Sequence, residues 1–356
     1  MQISAWPSIL YRLAGLALVA GISAGAARAA PADAVPARVF QHAQGEAVIE
    51  QIPRRVAVLD LGVLDILQAI GAEAAVAGVP GLEEKYWPEH LKRFNVSAYA
   101  PVGDLFEPDM EALKRLKPDL IIVGSRTAGK LEALGAIAPT LDMTVEDAAF
   151  MPSVTHNILT LGRILDRERQ AGAVAEKLLG QVRRLRGKAA KAGSGLLLFG
   201  FGDSLSVQYP QTRFGVVYEL LGLPPSVSAA EAPPPYIPRR ASGPGPAPGS
   251  PEARAAEARM AAEMKKWAEE EAQRIDGVLQ REPDWLLVID RSAAFGERTD
   301  AGAILAANGT VTRSKAWQAR RVVHLDGRDW YLAAGGPAML EKTLDQFARA
   351  LASRNP

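Results

Sequence analysis

Three arginines occupy equivalent places in this chain. Arg126 follows the apolar run Leu120–Gly124, Arg213 sits just before an apolar helical stretch, and Arg291 directly follows Val288-Ile289-Asp290. A guanidinium stays charged when partly stripped of water and presents a rigid fork of donors, so three of them converging would oppose one strongly anionic ligand. Each follows or precedes an element at the edge where α/β proteins expose ligand sites. Tyr86 and Trp87, in the loop after the second expected strand, would supply aromatic walls to such a cleft.

Other chemistries find little support. Gly200-Phe201-Gly202 follows an apolar run, but Leu205 stands where a dinucleotide fingerprint needs its third glycine. His42, His90, His156 and His324 lie far apart with no second ligand at helical spacing, so no preformed zinc site is expected. There is no G-x-S-x-G elbow for a serine nucleophile, and Asp284 and Asp290 bound an apolar strand rather than forming a carboxylate pair. No catalytic activity and no intrinsic cofactor are expected. The chain has no cysteine, which removes disulfides, thiolate metal sites and a lipid-carrying cysteine together.

The elements that must position the arginines follow from periodicity. Arg55–Asp60, Ala74–Gly78 and Pro118–Gly124 read as strands, with helices over Leu61–Ile70 and Asp109–Leu116. This gives a first α/β lobe over 38–150. From 152 to 191 the apolar spacing is helical without interruption, and one helix about 60 Å long would act as a strut between two lobes. Strand–helix alternation restarts over 193–356, with strands at Gly195–Gly200, Asp284–Asp290 and Arg321–Leu325, and a closing helix over Pro337–Leu351. The fold class is therefore α/β, two Rossmann-like lobes joined by a long helix. Proline and glycine crowd 232–251, which reads as an inserted loop, and 252–279 reads as a surface helix.

The first 29 residues have the pattern of a secretory signal: Arg12, an apolar run over Leu13–Ala27, and the small-x-small sequence Ala27-Arg28-Ala29. Export to the periplasm is the expectation. Lysine plus arginine (41) nearly balances aspartate plus glutamate (40), so no overall field draws nucleic acid. A monomer is expected.

Gly103–Leu113, Lys117–Arg126, Thr212–Gly215, Pro283–Arg291 and Asp329–Gly336 together resemble the ferric-siderophore periplasmic binding proteins of ABC importers, of the helical-backbone class, particularly those for catecholate-type siderophores. The resemblance spans both lobes in order. It implies that Arg126, Arg213 and Arg291 line the cleft against the charge of a ferric chelate, and that Tyr331 matches a tyrosine able to bind Fe³⁺ when the siderophore leaves positions open. The histidine that partners this tyrosine in such members has no counterpart in the proline-rich stretch, where Tyr236, Arg239 and Arg240 stand instead. The resemblance further implies an inner-membrane ABC permease as partner. It would be docked through a glutamate on each lobe: Glu111 matches the first, and the second falls near Asp276, with Glu270 and Glu271 as alternatives. Haem, cobalamin and hydroxamate siderophores are alternative ligands, and an exported hydrolase is the alternative of another class.

Overall fold

The computed structural model describes residues 37–202, 204–234, 247, 249–295 and 301–353. The expected export segment lies outside these residues, as does most of the proline-rich stretch, including Tyr236, Arg239 and Arg240.

A hairpin, β1 (Arg38–His42) with β2 (Gly45–Ile49), opens the described chain. The first sheet is built from β3 (Val56–Val58), β4 (Val76–Val79), β5 (Ala100–Pro101), β6 (Leu120–Val123) and β7 (Thr140–Asp142). Its order is β5-β4-β3-β6-β7, with every adjacent pair parallel. Val56, Ala57 and Val58 in β3 and Leu120–Val123 in β6 are wholly buried, as continuous apolar runs require in a sheet covered on both faces. Helices α1 (Leu61–Ala69), α2 (Met110–Leu116) and α3 (Leu131–Gly135) complete this lobe. Asp60 starts α1 by accepting from Val63 N at 3.1 Å, and Asp109 starts α2 by accepting from Ala112 N at 2.8 Å. The chain leaves β3 toward β4 and β5, then returns to β6 on the other side. The crevice between the C-terminal ends of β3 and β6 is thus a topological switch point.

The second sheet has β8 (Gly195–Phe201), β9 (Ser204–Gln208), β10 (Trp285–Asp290) and β11 (Val322–Leu325), in the order β11-β10-β8-β9. Here β8, β10 and β11 run parallel, while β9 returns antiparallel to β8, a strand the periodicity of the sequence did not separate. The helices of this lobe are α6 (Val216–Leu221), α7 (Pro251–Leu279), α8 (Arg291–Phe295), α9 (Ala301–Ala307), α10 (Gly309–Arg313), α11 (Lys315–Gln318), α12 (Gly327–Leu332) and α13 (Pro337–Ala352). The exposed surface helix expected over 252–279 is α7, opened by Ser250 accepting from Ala253 N.

Between the lobes the expected single helix is two helices, α4 (Phe150–Ile164) and α5 (Glu168–Ala189). Asp166 adopts φ 56°, the Arg167 N–H turns back to donate to Gly162 O at 2.8 Å, and Gly162 lies against Ala171. A continuous helix would hold residues nine apart about 13 Å from one another. The chain here folds back instead, so the connection is helical but not a straight strut. No proline or glycine marks the break at 165–167, which is why apolar spacing alone carries a helix through it.

Side chains alternate across both sheets and sort the core into three parts. Ala57, Leu59, Ile121 and Val123 pack on the outer face of the first sheet, and Leu196, Leu198, Leu286 and Val288 on the outer face of the second. The inner-facing set, Val56, Val58, Leu120 and Ile122 with Leu197, Leu287 and Ile289, joins one continuous cluster through α1, α4, α5 and α13. The lobes therefore share a core. Their relative movement is restrained by packing rather than by the length of one helix.

Candidate functional site

The site grows from the C-terminal edges of both sheets. The loop after β6 carries Arg126, the turn before α6 carries Arg213, and α8 begins with Arg291 as β10 ends. In the second lobe, α12 brings Tyr331 between them. The three guanidinium carbons lie 5.3, 4.9 and 5.2 Å from the centre of the Tyr331 ring, for Arg126, Arg213 and Arg291 in turn. Arg126 and Arg213 also both donate to the Tyr331 backbone carbonyl, the latter at 3.0 Å. One residue thus gathers groups from three separate segments of two lobes.

Aromatic rings frame this cluster. Phe199, at the end of β8, stacks on Phe214 with ring centres 4.5 Å apart, and both lie 6.4 Å from Tyr331. Phe295 meets Tyr331 edge-on at 5.4 Å. Arg291 lies over Phe201 and Phe295, and Arg126 over Phe106. Ring faces hold the guanidiniums in place.

Three cations so close together alter one another's protonation. Burial lowers the Arg213 pKa and the neighbouring Arg126 lowers it further, outweighing Tyr331 and Asp147. Burial would raise the Tyr331 phenol, but a hydrogen bond from Arg291 and the charges of Arg291, Arg213 and Arg126 hold it below the usual phenol value. Beside the cluster, a cleft of about 480 Å³ is walled by Asp60, Ser125, Arg126, Thr144 and Asp147 from the first lobe and Arg213 from the second. Burial raises both Asp60 and Asp147 above the ordinary aspartate range, partly offset by Arg126 and Arg213 respectively. Gly124 makes room here: a Cβ at that position would overlap the Asp60 carboxylate.

A sequence profile of the periplasmic binding protein family matches residues 56–328, which takes in both sheets and every residue of this cluster up to the start of α12. The chain is a periplasmic binding protein. Among this protein's relatives is the petrobactin-binding protein YclQ of Bacillus subtilis, 27% identical over 287 residues, covering 80% of this chain and 78% of that one. Another is the ferric-anguibactin-binding protein FatB of Vibrio anguillarum, 23% identical over 323 residues and 88% of each chain. The crystal structure of YclQ superimposes with a TM-score of 0.72 at 25% identity over 88% of this chain and 98% of that one.

Of the residues expected from sequence, Arg126, Arg213, Arg291 and Tyr331 come together. Trp87 does not join them. It has no exposed surface, packs in the shared core and donates its indole N–H to Leu82 O at 3.2 Å, so it cannot wall the cleft. Its neighbour Tyr86 faces the site instead, 5.6 Å from Phe295. On the outer surface of this binding protein Glu111 is exposed in the first turn of α2, paired with Lys114 at 2.8 Å, and Asp276 is half-buried on α7. Glu271 is excluded as a docking acid: it is 3% exposed and accepts from Val207 N and Arg274. Phe199, Phe214 and Phe295 were not singled out from sequence. Strand alternation was the available signal for Phe199, which shares the inner face of β8 with Leu197.

Proposed function

We propose that this periplasmic binding protein captures an anionic ferric siderophore in the cleft between its lobes and delivers it, within the periplasm, to an inner-membrane ABC permease. The observation that carries this reading is the convergence of Arg126, Arg213 and Arg291 on Tyr331. A ferric tris-bidentate chelate of catecholate or citrate type is compact, aromatic or oxygen-rich, and multiply negative. Guanidiniums oppose its charge, and the half-buried rings of Phe199 and Phe295 offer apolar surface to its ligands, with the buried Phe214 backing Phe199. Fe³⁺ arrives as cargo with its own oxygen donors. Where the chelate leaves a position open, the Tyr331 phenol, already held acidic by its neighbours, offers a hard oxygen to the metal. The protein binds and releases, as a monomer, without chemistry on the ligand. That two relatives carry petrobactin-binding and ferric-anguibactin-binding names supports the choice of cargo.

The test is a tryptophan-quenching titration with ferric catecholate, citrate and hydroxamate chelates, haem and cobalamin. The anionic ferric chelates are expected to bind in the micromolar range or tighter, about −8 kcal/mol or better. Failure of every iron chelate to bind would overturn the reading. Docking to the permease falls to Glu111 and, on the second lobe, Asp276. Glu111→Ala is expected to leave chelate affinity within about twofold and to lower siderophore-dependent uptake by about tenfold, because a truncated docking charge acts on the protein complex alone. Measuring both quantities on the same variant separates docking from capture.

A further inference from the structure

A second group of charged side chains, two of them buried, lies where the lobes meet. Asp65 on α1 is fully buried. Its Oδ2 accepts from Ala338 N at 3.0 Å and Met339 N at 3.2 Å, at the start of α13. The same oxygen is 3.3 Å from Nε2 of His90, and the other ring nitrogen of His90 is 3.8 Å from Oδ1 of Asp329 on α12. Asp329, itself 2% exposed, meets Lys342 Nζ at 2.8 Å. That amine also reaches Asp326 at 2.6 Å, and Asp326 starts α12 by accepting from Arg328 N and Asp329 N. Both His90 contacts are at ion-pair rather than aligned hydrogen-bond geometry, and Asp65 Oδ1 has no hydrogen-bond partner among the described residues.

From this geometry we infer that His90 is a proton-operated positioning residue, which ties the first lobe to the helix carrying Tyr331 and so sets how firmly the closed cleft holds its ligand. A neutral imidazole has one N–H and can donate to one carboxylate only; the imidazolium donates from both nitrogens, toward Asp65 and Asp329 together. Asp329 stands two residues before Tyr331 on the short helix α12, so a link at one is felt at the other. The inference rests on the proposed function for its ligand, though not for the link itself.

The charges facing His90 are the carboxylates of Asp65 on α1 and Asp329 on α12, and the amine of Lys342 on α13, which is shared with Asp326. On its own helical turn Glu89 and Lys92 pair with each other at 2.7 Å, and Arg328 of α12 reaches past it to Lys85 O. Acids outnumber bases around the ring. Burial would lower its pKa, but contact with Asp65 and the charge of Asp329 outweigh burial and Lys342, and the imidazole is held above 6.5. A folded pKa raised in this way means that the link is complete below the ordinary value and is lost as pH rises through the folded one.

Two measurements test the inference. In the ligand-free protein, the melting temperature of wild type relative to His90→Gln should fall as pH rises from about 5.5 to about 8, while His90→Lys, which keeps a cation, should remove that pH dependence. With a ferric catecholate, the wild-type-to-His90→Gln affinity ratio, which cancels the chelate's own proton chemistry, should shrink about three- to tenfold over the same range. A stability difference constant with pH would show His90 to be packing only and overturn the inference. If stability follows pH but the affinity ratio does not, the link exists without control of the cleft, and the positioning role is overturned. If no iron chelate binds wild type, it is the proposed function that fails, and the ligand-free arm still decides the link.

Discussion

Replacing Arg291 with alanine is expected to weaken binding of an anionic ferric chelate by about 30- to 150-fold, or about 2–3 kcal/mol. Arg291 leads out of β10 at the mouth of the second sheet, its guanidinium 4.6 Å from the centre of Phe201 and 4.4 Å from that of Phe295. These rings and the Tyr331 phenol fix the charge beside the cleft, so its removal is expected to deprive the ligand of charge and of a preplaced donor together. Lysine at this position keeps the charge but neither the planar fork nor the stacking on two rings, and should recover only part of the loss, leaving about a three- to tenfold deficit. A fluorescence titration at two salt concentrations checks both points, because the wild-type affinity should fall more steeply with salt than that of the alanine variant. Equal affinities for wild type and Arg291→Ala would remove the cleft as the capture site.

Gly327→Ala should be more damaging than its size suggests, destabilising the fold by about 2–3 kcal/mol and lowering chelate affinity at least about tenfold. Gly327 is the first residue of α12 and lies directly against the Asp290 carbonyl at the end of β10; a Cβ there would overlap that oxygen. The Cβ is fixed rigidly to the α12 backbone and the oxygen it meets is itself backbone, so relief requires α12 to move away from the strand. Such movement separates Tyr331 from Arg291, which the backbone contact holds together. Gly277→Ala is the control. It lies in α7 with nothing among the described residues within 4 Å of a Cβ, and should be neutral or stabilising by up to about 1 kcal/mol. Thermal unfolding and chelate titration of the two variants side by side distinguish a close approach from a general intolerance of added methyl groups.

Much of the fold is legible because it is local. Apolar runs such as Leu120–Val123 and Leu286–Ile289 must be buried on both faces wherever they occur, and Asp60, Asp109 and Ser250 announce helix starts by accepting from a backbone N–H three residues on. Alternation of strands with helices then puts Arg126 and Arg291 at the same edge of their sheets, because parallel connection leaves the C-terminal ends as loops. Tyr331 entered by resemblance, since its spacing on a six-residue helix carries no signal of its own.

What depends on distant neighbours needed the tertiary structure. Tyr86 and Trp87 are adjacent aromatics, and only the packing of the shared core decides that the second turns inward while the first faces Phe295. Glu271 reads as one of many surface acids on α7, yet the edge strand β9 lies beneath it and takes its carboxylate for Val207 N. The fold-back at Asp166 is set by the close approach of Gly162 to Ala171, nine residues apart and invisible to helical periodicity. His90 has no partner within ordinary helical reach in the chain, but finds Asp65 and Asp329 because α1 and α12 meet only when both lobes are assembled. Periodicity placed most of the strands and helices in order and put the arginines at the sheet edges, while β9 and the break between α4 and α5 escaped it. Which side chains share a cleft, a core or a buried charge cluster was decided by tertiary contact, because burial and electrostatic pairing are properties of neighbours in space.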